Sequence, residues 1–191
     1  MKLASAASGL MAALSLSTSL AARAADDYAI DPAHTSVVFK SNHGGFASSY
    51  GMFDEVSGKF TIDPKSIESS KFELTIKVDS IDTGDAKRDG HLKSPDFFNA
   101  KQFPTITFKS TSVAKHEGGL KVVGDLTLHG VTKPVTLMLT GGKVGEFPPG
   151  VARTGYDTSI AIKRSDFGMD KMIPAVGDEV GVLISFEGTK P

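Results

Sequence analysis

The sequence holds no cysteine and no tryptophan. Without cysteine there is neither a disulfide framework nor a thiol nucleophile, so stability must come from burial and strand pairing alone. Beyond residue 24, no stretch approaches the roughly 18 apolar residues of a membrane-spanning helix. Charge of one sign is also scarce: with Lys2 and Arg23 set aside, 19 basic residues face 22 acidic ones, a formal charge of −3. That balance is wrong for a nucleic-acid surface. No G-x-S-x-G elbow and no glycine-rich phosphate loop ahead of a helix occurs. The five histidines, His34, His43, His91, His116 and His129, never fall at H-x-H or H-x-x-x-H spacing, so neither a metal nor a cofactor is expected.

What is present begins with an export pattern. Lys2 precedes a small-residue and leucine stretch from Leu3 to Leu20, and Ala22-Arg23-Ala24 supplies an A-x-A cleavage signal. Residues 1–24 therefore read as a cleaved signal peptide, which points to a periplasmic destination, with full secretion not separable from it. Residues 25–191 remain, the size of one ordinary domain with a real core.

The mature chain alternates apolar and polar residues repeatedly, as half-buried strands do. The cleanest case is Phe72 to Asp79, apolar at every even position. Further cases run through Thr35–Ser41, Val56 to Ile62, Ile106–Lys109, Leu126–His129, Val135–Thr140, Ile160–Lys163 and Val180–Glu187. These make about eight strands, an all-β fold. A closed barrel and a two-sheet sandwich both satisfy the pattern. Two connections are longer than turns. Helical turns are expected around residues 84–99, with Ser94 as a cap and Pro95 in a first helical position. Arg164 to Gly177 reads as a loop crossing one end of the sheet.

Inward parity falls on Phe39, Phe60, Phe72, Leu74 and Ile76, and then on Phe108, Leu128, Leu137, Ile162 and Phe186. If these side chains fill the interior there is no site; if the sheet opens slightly, they line an apolar tube. Outward parity and the following Gly130 give His129 the reading of a solvated turn residue. On a helical turn Lys87, Arg88 and His91 share a face that could receive an anion. Arg164 and Asp166 are candidates for the same rim. The competing role for these arginines is an internal pair that pins a loop, Arg88 with Asp166 or Arg164 with Asp89.

The order and spacing of several segments carry a resemblance. They are Tyr28-Ala29-Ile30-Asp31-Pro32-Ala33-His34-Thr35-Ser36, Ser80-Ile81-Asp82-Thr83, Arg88-Asp89-Gly90-His91-Leu92 and Ser94-Pro95-Asp96-Phe97-Phe98. Phe103-Pro104-Thr105-Ile106-Thr107-Phe108-Lys109-Ser110, Gly124 to Thr132 and Arg164-Ser165-Asp166-Phe167-Gly168-Met169 continue the series. Together they resemble the YceI-like family of lipid-binding, polyisoprenoid-binding proteins. Thr35 and Gly90 are mild departures from its pattern. The resemblance implies an extended eight-stranded antiparallel β-barrel, lipocalin-like, with an elongated apolar pocket. It implies polyprenyl phosphates or isoprenoid quinones as ligands and offers no catalytic set.

The expectation is thus a non-enzymatic periplasmic carrier or sequestering protein for an isoprenoid lipid or another long apolar ligand. The inward residues named above, Leu74 apart, are expected to touch the tail, and Arg88, His91 and Arg164 the head group. No nucleic-acid partner and no membrane span are expected; a homodimer is left open. The alternative is a structural or interaction barrel filled by its own side chains.

Overall fold

A computed structural model describes residues 25–191, so the signal-peptide reading of residues 1–24 lies outside the described residues. The chain runs through β1 (Asp26–His43), β2 (Ala47–Phe53), β3 (Val56–Ile62), β4 (Lys71–Lys77) and β5 (Ile81–Asp82) to the helix α1 (Ala86–Leu92). It continues through β6 (Thr105–His116), β7 (Gly119–Leu128), β8 (Val131–Gly141), β9 (Gly145–Glu146), β10 (Ala152–Lys163) and β11 (Val176–Thr189). Eight strands close a barrel in the order β11-β10-β8-β7-β6-β4-β3-β1, and β1 returns to β11 along a long antiparallel ladder. Closure gives every strand of the ring a paired neighbour on both sides. The sandwich alternative is thereby excluded. Each of the eight alternating segments falls on one of these eight strands, with Phe72 to Asp79 and Leu126–His129 running past the strand ends, and most strands run several residues further than the alternation shows.

One wall is assembled from pieces. β1 pairs with β3 over Asp26–Ala29 and with β2 over Val37–His43, so β2 and β3 follow one another along the same neighbour. β8 and β10 pair at only two positions, Tyr156 with Gly141 and Asp157 with Thr140, making the narrowest seam of the barrel. The β7–β8 hairpin turns through His129 and Gly130, whose φ values of 52° and 75° supply the two positive dihedrals of a type I′ turn.

Two local expectations need correction. β4 stops at Lys77 and Val78–Ser80 forms a 3-10 turn, where Val78 is buried and its N–H donates to the Pro104 carbonyl (3.0 Å). Alternation alone runs on through this turn because Val78 keeps the inward parity. The helix is capped by Asp85, not Ser94: the Asp85 carboxylate accepts the Arg88 N–H at 2.8 Å. Ser94 to Phe98 forms tight turns instead, with the Ser94 carbonyl accepting from Phe97 and Asn99.

The interior is packed differently in its two halves. In one half Phe60 stacks between Tyr28 and Phe72, with centroids 5.0 and 5.5 Å away, while Tyr156 and Phe186 meet it edge-on at 6.1 and 5.6 Å. Such pairs each contribute about 0.5–1.5 kcal/mol beyond the area they bury. Gly188 makes the stack possible, since a side chain there would collide with the Phe60 ring. This aromatic plug closes the barrel across its width. The other half stays hollow.

Candidate functional site

The hollow half is a cavity of about 180 Å³. Phe72, Phe108 and Phe186 form its floor above the plug, with Leu74, Ile76, Leu137 and Ile162 in its walls. At the far end it meets Arg164 and Met169 of the segment between β10 and β11 and Val176 at the start of β11, together with Leu92, Phe97 and Phe98 from α1 and the turns after it. The loop predicted to cross one end of the sheet therefore does so, and the helical connection shares that end. Phe39 lies in the wall across Gly51, its partner in the ladder, where any side chain would strike the ring.

Of the nine residues assigned to an apolar tail, eight line this cavity: Phe39, Phe72, Ile76, Phe108, Leu128, Leu137, Ile162 and Phe186. Phe60 does not, being 1% exposed and enclosed within the plug. Parity makes both Phe39 and Phe60 inward, but only the partners across the barrel decide whether an inward ring meets space or other rings.

The three head-group candidates come to the same end of the barrel, with different surroundings. Arg164 lines the cavity and is buried. Its Nε donates to the Gly177 carbonyl (2.9 Å), Nη1 to Met169 (2.6 Å) and Nη2 to Val176 (2.9 Å). Two of its five N–H donors have no partner among these bonds. It makes no ion pair among the described residues, and burial pulls its pKa below the ordinary guanidinium value, against an opposing influence of Asp178 and Asp170. Arg88 faces away, with Nε on the Thr83 hydroxyl (2.8 Å) and Nη2 on the Thr83 carbonyl (2.7 Å). His91 Nε2 stands 3.1 Å from Asp96 Oδ2, outside the cavity lining, and its ring meets Phe97 edge-on at 5.0 Å.

Neither anticipated arginine–aspartate pair forms. Asp166 pairs with Lys133 (3.3 Å), and Asp89 accepts from the Thr83 N–H (2.9 Å) and hydroxyl. Both arginines do pin loops, but through carbonyl and hydroxyl oxygens, which are less visible in a sequence than carboxylates. His129 is also less solvated than its parity suggests: Nδ1 lies 3.0 Å from the Phe167 carbonyl and the ring packs on Phe103. Among the described residues, no group of three or more His, Asp or Glu side chains converges to hold a metal ion.

Several lining residues escaped the sequence reading, among them Phe53, Val122 and Thr158. Thr158 sits on β10 at the inward parity of Ile160 and Ile162, and its hydroxyl is buried without a hydrogen-bond partner among the described residues. Continuing the alternation of Ile160 and Ile162 back two residues would have found it. At the opposite end of the barrel, beyond the plug, a depression is lined by Lys115, His116, Thr154 and Tyr156. Burial, with Tyr28 adding to it, pushes the Tyr156 phenol up to about 12.

The family model for the YceI-like domain matches residues 28–188, from the first residues of β1 to nearly the end of β11. The chain belongs to the YceI-like family. It is 41% identical over 178 residues to Protein YceI of Escherichia coli O17:K52:H18, covering 92% of this chain and 93% of the relative. Among solved structures, BcnA of Burkholderia cenocepacia superposes with a TM-score of 0.74 at 28% identity, covering 83% of this chain and 98% of that one. A polyisoprenoid binding domain from Saccharophagus degradans shares the fold, with a TM-score of 0.65 at 19% identity, over 86% of this chain and 98% of that one. In this YceI-like barrel the hollow half and the plug are both made by strands inside the matched region. No helix among the described residues is long and apolar enough to cross a membrane.

Proposed function

We propose that this protein is a non-enzymatic carrier or sequestering protein for an isoprenoid lipid, exported to the periplasm through residues 1–24. The observation that carries this reading is the apolar cavity above the plug, with one buried guanidinium at its far end that makes no ion pair among the described residues. A hydrocarbon tail fits such a wall because each buried methylene is worth about 0.8 kcal/mol. Several prenyl units reach on the order of 10 kcal/mol gross, from which ordering of the tail subtracts a large share. The Saccharophagus degradans neighbour, named for binding a polyisoprenoid, supports the ligand class.

Arg164 is the head-group contact in this reading. Its two spare N–H donors and its charge suit a phosphate oxygen or a quinone carbonyl at the cavity end. Arg88 and His91, engaged with Thr83 and Asp96, belong to the supporting rim.

Native mass spectrometry of protein purified gently from its own cells tests the reading, with a bound isoprenoid as the expected result. Repeated recovery of ligand-free protein would overturn it. An Ile76→Trp variant adds a control, since filling the cavity should expel lipid with little loss of stability. A barrel already filled would instead show an overpacking cost of about 1–3 kcal/mol.

A further inference from the structure

The hollow end of the barrel carries large apolar side chains that the interior does not use. Phe46, at the tip of the β1–β2 hairpin, is 91% exposed, and Met172 and Ile173 on the loop before β11 are 46% and 38% exposed. The two tips are tied together: Gly44 N–H donates to the Ala175 carbonyl at 2.7 Å, and His43 pairs with Val176 in the ladder. The same segments supply the cavity end, through Ser41 on one side and Met169 and Val176 on the other. An exposed ring, a thioether and an isoleucine therefore fringe the place where a tail would enter.

We propose that this fringe inserts into the surface of a lipid bilayer, so that a tail passes between membrane and cavity without crossing water. The proposal rests on the lipid-carrier reading above. A bilayer is the occupant the observations favour because the fringe is continuous with an apolar cavity and is not ringed by charge of one sign. Lys171 is opposed by Asp96 at 3.8 Å and stands next to Asp170. Apolar insertion rather than charge attraction is then the source of affinity. A second copy of the chain is the competing occupant.

The absence of tryptophan makes the test direct. Phe46→Trp places a sole indole at the fringe, and Phe147→Trp places one at a site 71% exposed, on the loop that leads from the far-end depression into β10. With phosphatidylcholine vesicles, the Phe46→Trp emission should shift to the blue and be quenched by brominated phosphatidylcholine, while Phe147→Trp responds to neither. Phe46→Ser should lower vesicle affinity by about tenfold or more, as expected for one aromatic side chain no longer buried.

A response from both indoles, or from neither, overturns the proposal. So does a blue shift of Phe46→Trp that follows protein concentration in the absence of vesicles, which would assign the fringe to a second copy. Native mass spectrometry keeps the two readings apart. Bound isoprenoid without a vesicle response defeats only the docking surface, and a vesicle response by protein that never carries lipid defeats only the carrier.

Discussion

The guanidinium of Arg164 lies over the ring of Phe97, 5.8 Å from its centroid, and so joins the loop before β11 to the turns after α1 across the end of the barrel. The same group satisfies three carbonyls, that of Met169 in its own loop and those of Val176 and Gly177 at the start of β11. Arg164→Leu leaves those acceptors without a donor and removes the cation from the ring. The expected cost is about 3 kcal/mol in denaturant unfolding, with Arg164→Lys intermediate because an ammonium cannot reproduce the fork.

Thr158 presents the reverse situation. Its buried hydroxyl has no partner, so Thr158→Val, nearly the same shape, should leave the ligand-free protein as stable or raise its stability by about 1 kcal/mol. Thermal unfolding of delipidated protein reads this directly. A clear loss of stability would mean that the hydroxyl has a partner, such as ordered water, in the cavity.

The eight barrel strands were legible because alternation reports which face of a strand is buried, and Leu74, Ile106 and Leu128 all point where parity puts them. Whether the enclosed space is filled was not legible. Phe60 and Phe39 give the same signal, yet one stacks on Tyr28 and Phe72 while the other lies over Gly51 beside open space. That difference depends on ladder register between segments distant in sequence. The long first half of β1 was missed because Asp31-Pro32 interrupts its alternation, and Asp85 was missed because Ser94-Pro95 offered a stronger local cap.

Plug and cavity should separate energetically. Phe60→Ala removes a ring packed on every side and should cost about 3–5 kcal/mol. Ile162→Ala removes a side chain that already borders a void, and should fall near or below the lower end of the 2–5 kcal/mol range for such truncations. Equal losses in denaturant unfolding would contradict a barrel solid in one half and hollow in the other.

Acid should loosen the loop over the cavity end. Ser165 donates its N–H and its hydroxyl to Asp178, each at 2.9 Å, and these bonds, the backbone one foremost, hold that carboxyl below the ordinary carboxylate range. A pKa depressed by folding gives stabilisation that is complete above the unfolded value of about 3.9 and is lost as pH falls through the lower folded value. NMR of the Ser165 amide should report the loss only at strongly acid pH, and Asp178→Asn should abolish the titration.

The seam between β8 and β10 has the fewest ladder bonds of the barrel, and both of its paired positions lie at the plug end beside Tyr156, so the hollow half is held least there. Two paired positions there contrast with ten between β7 and β8 and eleven between β10 and β11. Leu137 and Ile162 face the cavity from either side of that seam, so a tail inside would touch both strands and draw them together. Amides of β8 and β10 that lack a ladder partner should exchange hydrogen faster than those of β6 and β7 in delipidated protein, and slow on lipid loading, because local opening needs few bonds broken. Uniform protection around the barrel, unchanged by lipid, would show that the seam is rigid and that the cavity fills without any response from its wall.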